Sequence, residues 1–499
     1  MSAKQKSDTY GAVDLGSNSF HMFVVRVAQN DLHVVDRLRE RVRLAAGLDS
    51  NNHLTEEAEA RALLSLERIG ERLRDLPPNQ VRAVGTNTLR RAHDAAAFLR
   101  RASKALGHHI DVIPGLEEAR LIYLGVSHTL PDSSERRLVV DIGGGSTECI
   151  VGERFEPLEM ASLYMGCVSY SMRFFPGGEI NEKNMLRAET AARVELETIE
   201  RKLRDLGWDM AFGSSGTIFA ITEILRQNEW SDQGITRKGL KKLRKALVRT
   251  GSTEELVLPG LKTDRAPVLP GGLAILNAVF DSLDIEKMSP STGALREGIL
   301  YDLLGRIRHE DVRDRTIQRL AERYHIDRAQ AARVEHTALN CLTQVGDAWE
   351  LNDEEYRQSL AWATKLHEVG LTVSYSGYQK HGAYLLGHSN LPGFSNDEQL
   401  LLASLVGSHR RKLSREPFEE LRSVSIDQAL RLCVLLRLAV LVNRGRSPRP
   451  LPRFKLNPEQ NKLVIAFPEG WLEEHPLAHA DLEEEKSFLK KVDFQLVVS

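Results

Sequence analysis

Short apolar runs along the first half of the chain are interrupted twice by an acid and a glycine-rich turn. One copy reads Tyr10-Gly-Ala-Val-Asp-Leu-Gly-Ser-Asn-Ser-Phe-His-Met-Phe-Val-Val. The other reads Arg137-Leu-Val-Val-Asp-Ile-Gly-Gly-Gly-Ser-Thr-Glu-Cys-Ile-Val. Each predicts two apolar strands joined by a turn built for close backbone approach. Asp14 aligns with Asp141, Gly16 with Gly143 and Ser19 with Ser146. Two such repeats predict two lobes whose turns face each other across a cleft.

Between and after the copies the period switches between strand and helix. Thr55 to Leu76 has helical spacing, with Thr55 as N-cap and Glu56 and Glu57 in the first turn. Gln80 to Gly85 and His109 to Ile113 read as strands, and Arg91 to Ala105 and Glu117 to Val126 as helices. Pro114-Gly115 is a turn. Further on, Arg187 to Leu206 predicts one long amphipathic helix. Asp209 to Phe212 predicts a strand running into Gly213-Ser-Ser-Gly-Thr217. Gly271 to Leu283 and Ala294 to Leu304 read as helices, with Met288 to Thr292 leading into Gly293. Near residues 306 to 312 the pattern changes, and to about residue 442 it is almost wholly helical. Pro448, Pro450 and Pro452 mark a linker or edge, and Lys462 to Phe467 and Asp493 to Val498 read as strands.

The expected organisation is therefore α/β. It comprises lobe I over 1–133, lobe II over 134–308, a helical domain over 309–444 and a small α+β module over 445–499. A chain of 499 residues is too long for a single core. No apolar run is long enough to cross a bilayer. The polar start, Met1 to Asp8, lacks the apolar segment of a secretory signal. Cys149, Cys167, Cys341 and Cys433 are scattered, which argues for reduced cysteines in a cytoplasmic protein and against a cysteine zinc site. With 67 basic and 69 acidic side chains the net charge is −2, so any polyanion must meet a local patch. Arg90 and Arg91, Lys238 to Lys245 and Arg410 to Lys412 are the candidate patches. No nucleic-acid partner and no integral membrane association are expected.

The candidate chemistry is phosphate handling. Turns such as Gly16-Ser-Asn-Ser19 and Gly143-Gly-Gly-Ser-Thr147 aim backbone N–H groups at an anion. The side chains of Asn18, Ser19, Ser146 and Thr147 add donors. Magnesium takes hard oxygen ligands and leaves room for phosphate oxygens, and Asp14, Asp141 and Glu148 are the oxygens at hand. Glu117 and Glu118 open a helix just after a strand and a turn, where a carboxylate can orient a water. Spacing does not choose between the two. Arg90 is a candidate phosphoryl clamp.

The segments Asp14 to His21 and Asp141 to Glu148 resemble the exopolyphosphatase and guanosine pentaphosphate phosphatase family. So do Glu117-Glu-Ala-Arg-Leu-Ile122, Gly213 to Thr217, Gly293-Ala-Leu-Arg-Glu-Gly298 and Leu366-His-Glu-Val-Gly370. The resemblance covers nearly the whole chain. It implies a duplicated actin-like (ribonuclease H-like) two-lobed fold of the ATPase superfamily, followed by an HD-like helical domain. It implies Glu118 as catalytic base and Asp141 and Glu148 as metal-associated acids. Asp14, Ser17, Asn18, Arg90, Gly143, Gly144, Gly145, Ser146 and Arg265 match or neighbour phosphate-handling positions. Gly213, Ser214, Ser215, Gly216, Thr217 and Gly293 stand where such folds contact a nucleotide.

The expected cofactor is magnesium, with manganese as a substitute and a monovalent cation such as potassium as an addition. The expected substrates are inorganic polyphosphate, hydrolysed processively from its end, and guanosine pentaphosphate. The overall resemblance, including Phe175-Pro-Gly-Gly178 and Asp481-Leu-Glu-Glu-Glu485, is nearer the exopolyphosphatase branch. Relatives of this length typically form homodimers. In the helical domain an HD site would carry His-Asp, but this chain has His367-Glu368. That region, with His381, His409, Arg410 and Arg411, is read as a substrate channel and assembly element. Two other classes compete with hydrolysis: an ATP-dependent kinase, and a non-catalytic sensor of polyphosphate or guanosine polyphosphates.

Overall fold

The computed structural model describes residues 9–28, 31–49, 51–130, 134–307, 310–447, 449 and 451–499. The polar start at Met1 to Asp8, the expected boundaries at 133 and at 308–309, and Pro448 and Pro450 lie outside the described residues. The chain divides into two compact units, Met1–Glu310 and Asp311–Ser499.

In the first unit, β1 (Thr9–Leu15), β2 (Phe20–Ala28) and β3 (Asp31–Glu40) form an antiparallel meander. After α1 (Glu56–Leu73), β4 (Val81–Gly85) joins β1 in parallel. Then follow α2 (Asn87–Arg91), α3 (Ala95–Leu106), β5 (Ile110–Val112) and α4 (Gly115–Ser127). The sheet order is β3-β2-β1-β4-β5. Thr55 caps α1 as expected, its hydroxyl accepting from the Ala58 N–H at 3.3 Å.

Lobe II repeats the plan with β6 (Arg136–Ile142), β7 (Thr147–Glu153) and β8 (Glu156–Leu163). Next come α5 (Cys167–Phe174), α6 (Glu182–Leu196), α7 (Glu200–Leu206), β9 (Met210–Ser214), α8 (Ser215–Gln227), β10 (Ile235–Thr236) and α9 (Arg237–Thr250). The lobe closes with α10 (Leu269–Ser282), β11 (Lys287–Pro290) and α11 (Leu295–Ile307). Its sheet runs β10-β11-β9-β6-β7-β8. The two hairpins share one register: Asp14 pairs with His21 as Asp141 pairs with Glu148, and β4 runs parallel to β1 as β9 does to β6. This duplicated, mixed-sheet arrangement is the actin-like two-lobed fold.

Strand alternation sorts the side chains. Val13 and Leu15 face the core of lobe I, and Val140 and Ile142 that of lobe II. The opposite faces, with Ala12, Val139 and Ile150, share a third core with Leu121 and Ile122 of α4 and Ile299 of α11. The acids stand at the ends of these shared faces.

The expected helix from Arg187 to Leu206 is two helices, and the first begins earlier, behind an Asn181 cap. Ile199 has φ −125° and ψ −21°, and the Thr198 hydroxyl bonds back to the Glu195 carbonyl at 2.9 Å. A β-branched pair with a competing side-chain bond breaks the run. The expected helix at Arg91 to Ala105 is α3, which starts later, at Ala95, because Arg91 closes the short α2.

The second unit packs α12 (Val312–Arg323), α13 (Arg328–Trp349), α14 (Glu354–Leu366), α15 (Tyr378–His388), α16 (Asn396–Ser408) and α17 (Ile426–Val442). It ends with β12 (Lys455–Glu459), β13 (Lys462–Ala466), α18 (Trp471–Glu474), α19 (Pro476–Leu489) and β14 (Gln495–Val498). Leu456, Leu463, Leu482 and Phe494 share one core with the helices. All four cysteines are buried and unbridged. No helix among the described residues is long and apolar enough to cross a membrane.

Candidate active site

The two glycine-rich turns meet. A Cβ on Gly144 would come 2.9 Å from Ser17 Cβ and 3.7 Å from Asn18 N, and one on Gly145 would fall 2.4 Å from Asn87 Oδ1. Only glycine fits between them. Each turn is held from behind. The carbonyls of Ser17 and Asn18 accept from Ala45 and Arg43 N–H at 2.9 Å, and those of Gly143 and Gly144 accept from Cys167 and Val168 N–H at the start of α5. Thr88 donates to Ser17 Oγ at 2.8 Å.

Glu117 and Glu118, inseparable in sequence, go to different places. Glu117 is buried and takes a two-pronged ion pair from Arg120, at 2.8 Å on each arm. Arg82 and Arg120 both bind Asp302 of α11, and Arg306 reaches the same acid at 3.0 Å. Glu118 turns to the cleft instead. Its Oε2 accepts from Arg90 at 2.8 Å, and the same Arg90 nitrogen donates to the Ile113 carbonyl at 2.9 Å. A helix opening at Gly115 forces this split, because adjacent positions in its first turn point about 100° apart.

Beside Glu118 stand the lobe II acids. Ser162 of β8 donates to Glu148 Oε1 at 2.8 Å and lies against Gly115, where a Cβ would fall 2.5 Å from its Oγ. Asp141 lies beside Ser214, its partner in register on β9. Burial pushes the Asp141 carboxyl up to about 7, with the charges of Glu118 and Asp14 adding to the rise. Burial, then the charges of Glu118 and Asp141, push Glu148 well above the ordinary carboxyl range. Burial also raises Glu118, with Arg90 pulling the other way. Asp14 Oδ1 and Ser19 Oγ are buried with no hydrogen-bond partner among the described residues.

Three buried acids with the part-buried Asp14 beside them, against Arg90 and Arg296, form a site short of positive charge. Among the described residues no group of three or more His, Cys, Asp or Glu is arranged to hold a metal by protein ligands alone. Magnesium asks for less: one or two carboxylates, with phosphate and water oxygens completing the shell. Asp141 and Glu148, with the free Asp14 Oδ1 opposite, fit that mode of binding.

Some expected residues are used otherwise. Thr147 is the first residue of β7, so alternation turns it away from Glu148. It is fully buried and donates to the Met165 carbonyl at 2.6 Å, which removes it as a phosphate donor. Ser214 donates to the Gly293 carbonyl at 3.0 Å and Thr217 to the Ile142 carbonyl at 3.1 Å, so both brace the site. Gly213 and Ser214 belong to β9. Ser215, at φ 92°, makes the turn, and Gly216 lies beneath Arg265.

In the second unit, His367 and His409 are buried with ring centroids 5.6 Å apart. Each Nδ1 lies on a backbone carbonyl, of Thr364 and Val406 respectively, at 2.6 Å. Burial holds both imidazoles below their ordinary range. Glu368 is paired with Arg446, which occupies the carboxylate that a metal would need. Arg410 lies over the Tyr378 ring at 4.6 Å. His381 is half-buried in the first turns of α15 and Arg411 is exposed.

Sequence reasoning missed Ser162 and Ser214 as partners of the acids. The signal available was the small hydroxyl residue at the end of each neighbouring apolar strand, but register is needed to place it.

Two actin-like lobes closing paired glycine turns over buried carboxylates define a phosphoryl-handling protein. Residues 23–307 match the Ppx/GppA phosphatase family and residues 312–486 match Ppx/GppA phosphatase, domain III. The chain belongs to the Ppx/GppA phosphatase family. It is 41% identical over 493 residues to a guanosine-5'-triphosphate,3'-diphosphate pyrophosphatase of Photobacterium profundum, covering 99% of this chain and 98% of that protein. It is also similar to a crystal structure of an exopolyphosphatase from Cytophaga hutchinsonii. The identity there is 26% and the TM-score 0.55, over 59% of this chain and 97% of that one. A solved exopolyphosphatase-like protein shares the fold, at 23% identity and a TM-score of 0.55, over 61% of this chain and 100% of that one.

Proposed function

We propose that this chain is a magnesium-dependent phosphohydrolase that removes the terminal phosphoryl group from a chain of condensed phosphate, with inorganic polyphosphate as substrate. The observation that carries the reading is the placement of Glu118 on Arg90 beside Asp141 and Glu148, next to two touching glycine-rich turns. Backbone N–H groups of the turns, with the hydroxyls of Ser17, Ser19 and Ser146, bind the terminal phosphoryl group. Arg90 holds the Glu118 carboxylate in place. Glu118 orients a water and takes its proton as the water oxygen bonds to phosphorus and the phosphoanhydride oxygen leaves with the shortened chain. Asp141 and Glu148 would hold magnesium, which when bound offsets charge on the phosphoryl oxygens.

Guanosine pentaphosphate is the second substrate reading, favoured by the full-length relative named for that reaction. Both substrates end in the same phosphoanhydride, so one set of catalytic groups serves both. The test is orthophosphate release with magnesium from each substrate, compared by kcat/KM. Glu118→Gln should lower kcat by roughly 10²–10⁴-fold with fold intact. A variant as active as the parent would remove Glu118 as base. Transfer of the phosphoryl group to an acceptor, with no orthophosphate released, would make the chain a kinase.

A further inference from the structure

The loop between β8 and α5 sets an aromatic side chain at the edge of the catalytic groups, and the hydrolysis step does not use it. Along β8, Ala161 and Leu163 turn into the core of lobe II. Met160 packs on the core shared with α4, and Ser162 lies between Glu148 and Gly115. Tyr164 is the next member of that second set. Glu148 stands opposite Ser162 and Thr147 opposite Leu163, so the step from Ser162 to Tyr164 leads toward the glycine-rich turn at 143–146.

The backbone on either side of Tyr164 is held. The Met165 N–H donates to the Leu163 carbonyl at 2.8 Å, a three-residue turn with Tyr164 at its apex. The Met165 carbonyl accepts from Thr147 at 2.6 Å, and the Cys167 N–H donates to the Gly143 carbonyl at 2.9 Å. Between these ties Gly166 lies against the turn so closely that a Cβ would fall 2.4 Å from the Gly144 carbonyl and from Gly145 N. The side chain of Tyr164 is nonetheless 77% exposed, and its ring stacks on no other ring among the described residues. A single exposed ring on a loose loop needs no explanation. One carried on a backbone pinned to the phosphate-binding turn is pre-organised for contact.

A free aromatic face recognises a flat π-system by stacking. A nucleoside polyphosphate bound by its terminal group trails a base behind the linkage being cut, whereas inorganic polyphosphate has no such group. The catalytic groups treat the two phosphate chains alike, so a ring at the rim is a means of telling the molecules apart.

We propose that Tyr164 stacks on the base of a nucleoside polyphosphate whose terminal phosphoryl group occupies the site, and so is a specificity-determining residue for nucleotide over inorganic polyphosphate. The proposal rests on the phosphohydrolase reading above, with guanosine pentaphosphate as its second substrate.

The experiment measures KM and kcat for guanosine pentaphosphate, GTP, tripolyphosphate and long polyphosphate. The proteins are the full chain, Tyr164→Ala and Tyr164→Phe, with melting curves to check that each variant folds. In Tyr164→Ala the KM of both nucleotides should rise about tenfold or more, and that of both polyphosphates less than about twofold, with the loss in KM rather than in kcat. Tyr164→Phe, which keeps the π-face and loses the hydroxyl, should recover most of that loss. Equal rises for nucleotides and polyphosphates, or no rise for the nucleotides, would overturn the stacking role. Tyr164→Phe as impaired as Tyr164→Ala would do the same, because the hydroxyl would then carry the contact. A parent chain that hydrolyses the polyphosphates and neither nucleotide would overturn the proposal and leave the phosphohydrolase reading standing. A parent that releases no orthophosphate from any of the four would overturn that reading itself.

Discussion

In lobe I the row that begins at Asp14 continues through His21 to Arg39, while in lobe II the row that begins at Asp141 continues through Glu148 to Ser162. The hairpins are the same length and register. The second position differs most. It is an imidazole beside its acid in lobe I and a second carboxylate in lobe II, where burial and neighbouring charge push both acids up. A duplicated frame thus presents a cation-bearing row on one side and an anion-bearing row on the other. Phosphate with a divalent ion needs both kinds of partner. The lesson is that the fold fixes where three side chains stand, and the chemistry at the second and third of them assigns each lobe its part.

The sharpest way to break this comparison is to neutralise the second position in each row. Glu148→Gln should lower kcat/KM by roughly 10²–10³-fold and raise the magnesium concentration needed for half-maximal rate. His21→Gln, at the mirror position, should cost less than about tenfold and act on KM. Orthophosphate release across a magnesium series checks both. Equal losses with an unchanged magnesium requirement would show that the rows do not divide the work.

The lobes also differ in how they are tied together. Asp302 of α11 is buried between Arg82 and Arg120, with Arg306 beside it, whereas Arg41 and Asp264 meet near the surface. Removing one member of a buried set strands charge. Asp302→Ala should therefore cost about 3–5 kcal/mol in denaturant unfolding. Arg41→Ala should cost about 1 kcal/mol or less. Asp302→Ala should also slow turnover in the folded protein, because the same cluster holds Glu117 and so sets the direction of Glu118.

The hairpins, their acids and the turn glycines were legible because a period of two and a repeated motif are local signals. The choice between Glu117 and Glu118 was not. Both occupy one helical turn and both are buried, and an aspartate nearly two hundred positions away decides which joins the arginine cluster. Ser162 and Arg39 were hidden for a related reason: they join the site through strand register, which sequence spacing does not state. Thr147 was misplaced because a motif read as a string ignores that neighbours on a strand face opposite ways. The strand at Lys455–Glu459 went unseen because Pro458 masks it; it pairs with Leu463 on a three-stranded sheet edge.

A smaller effect follows from the lobe II acids, and its sign can be worked out. Burial and the charges of Glu118 and Asp14 lift Asp141 from an ordinary value of 3.8 to about 7. The folded chain then binds that proton more tightly than the unfolded chain. The stabilisation is fully present below pH about 4 and is lost as pH rises through about 7, at most about 4 kcal/mol. Calorimetry in a chelator should therefore show melting temperature falling between pH 5 and pH 8, by ~5 °C at most from this group. Asp141→Asn should flatten that slope and melt above the parent at pH 8. Magnesium at pH 8 should restore the parent and do less for the variant, because the variant has lost a carboxylate that the ion would neutralise. A parent whose melting temperature is flat with pH in the chelator would mean that Asp141 does not carry the strain that separates lobe II from lobe I.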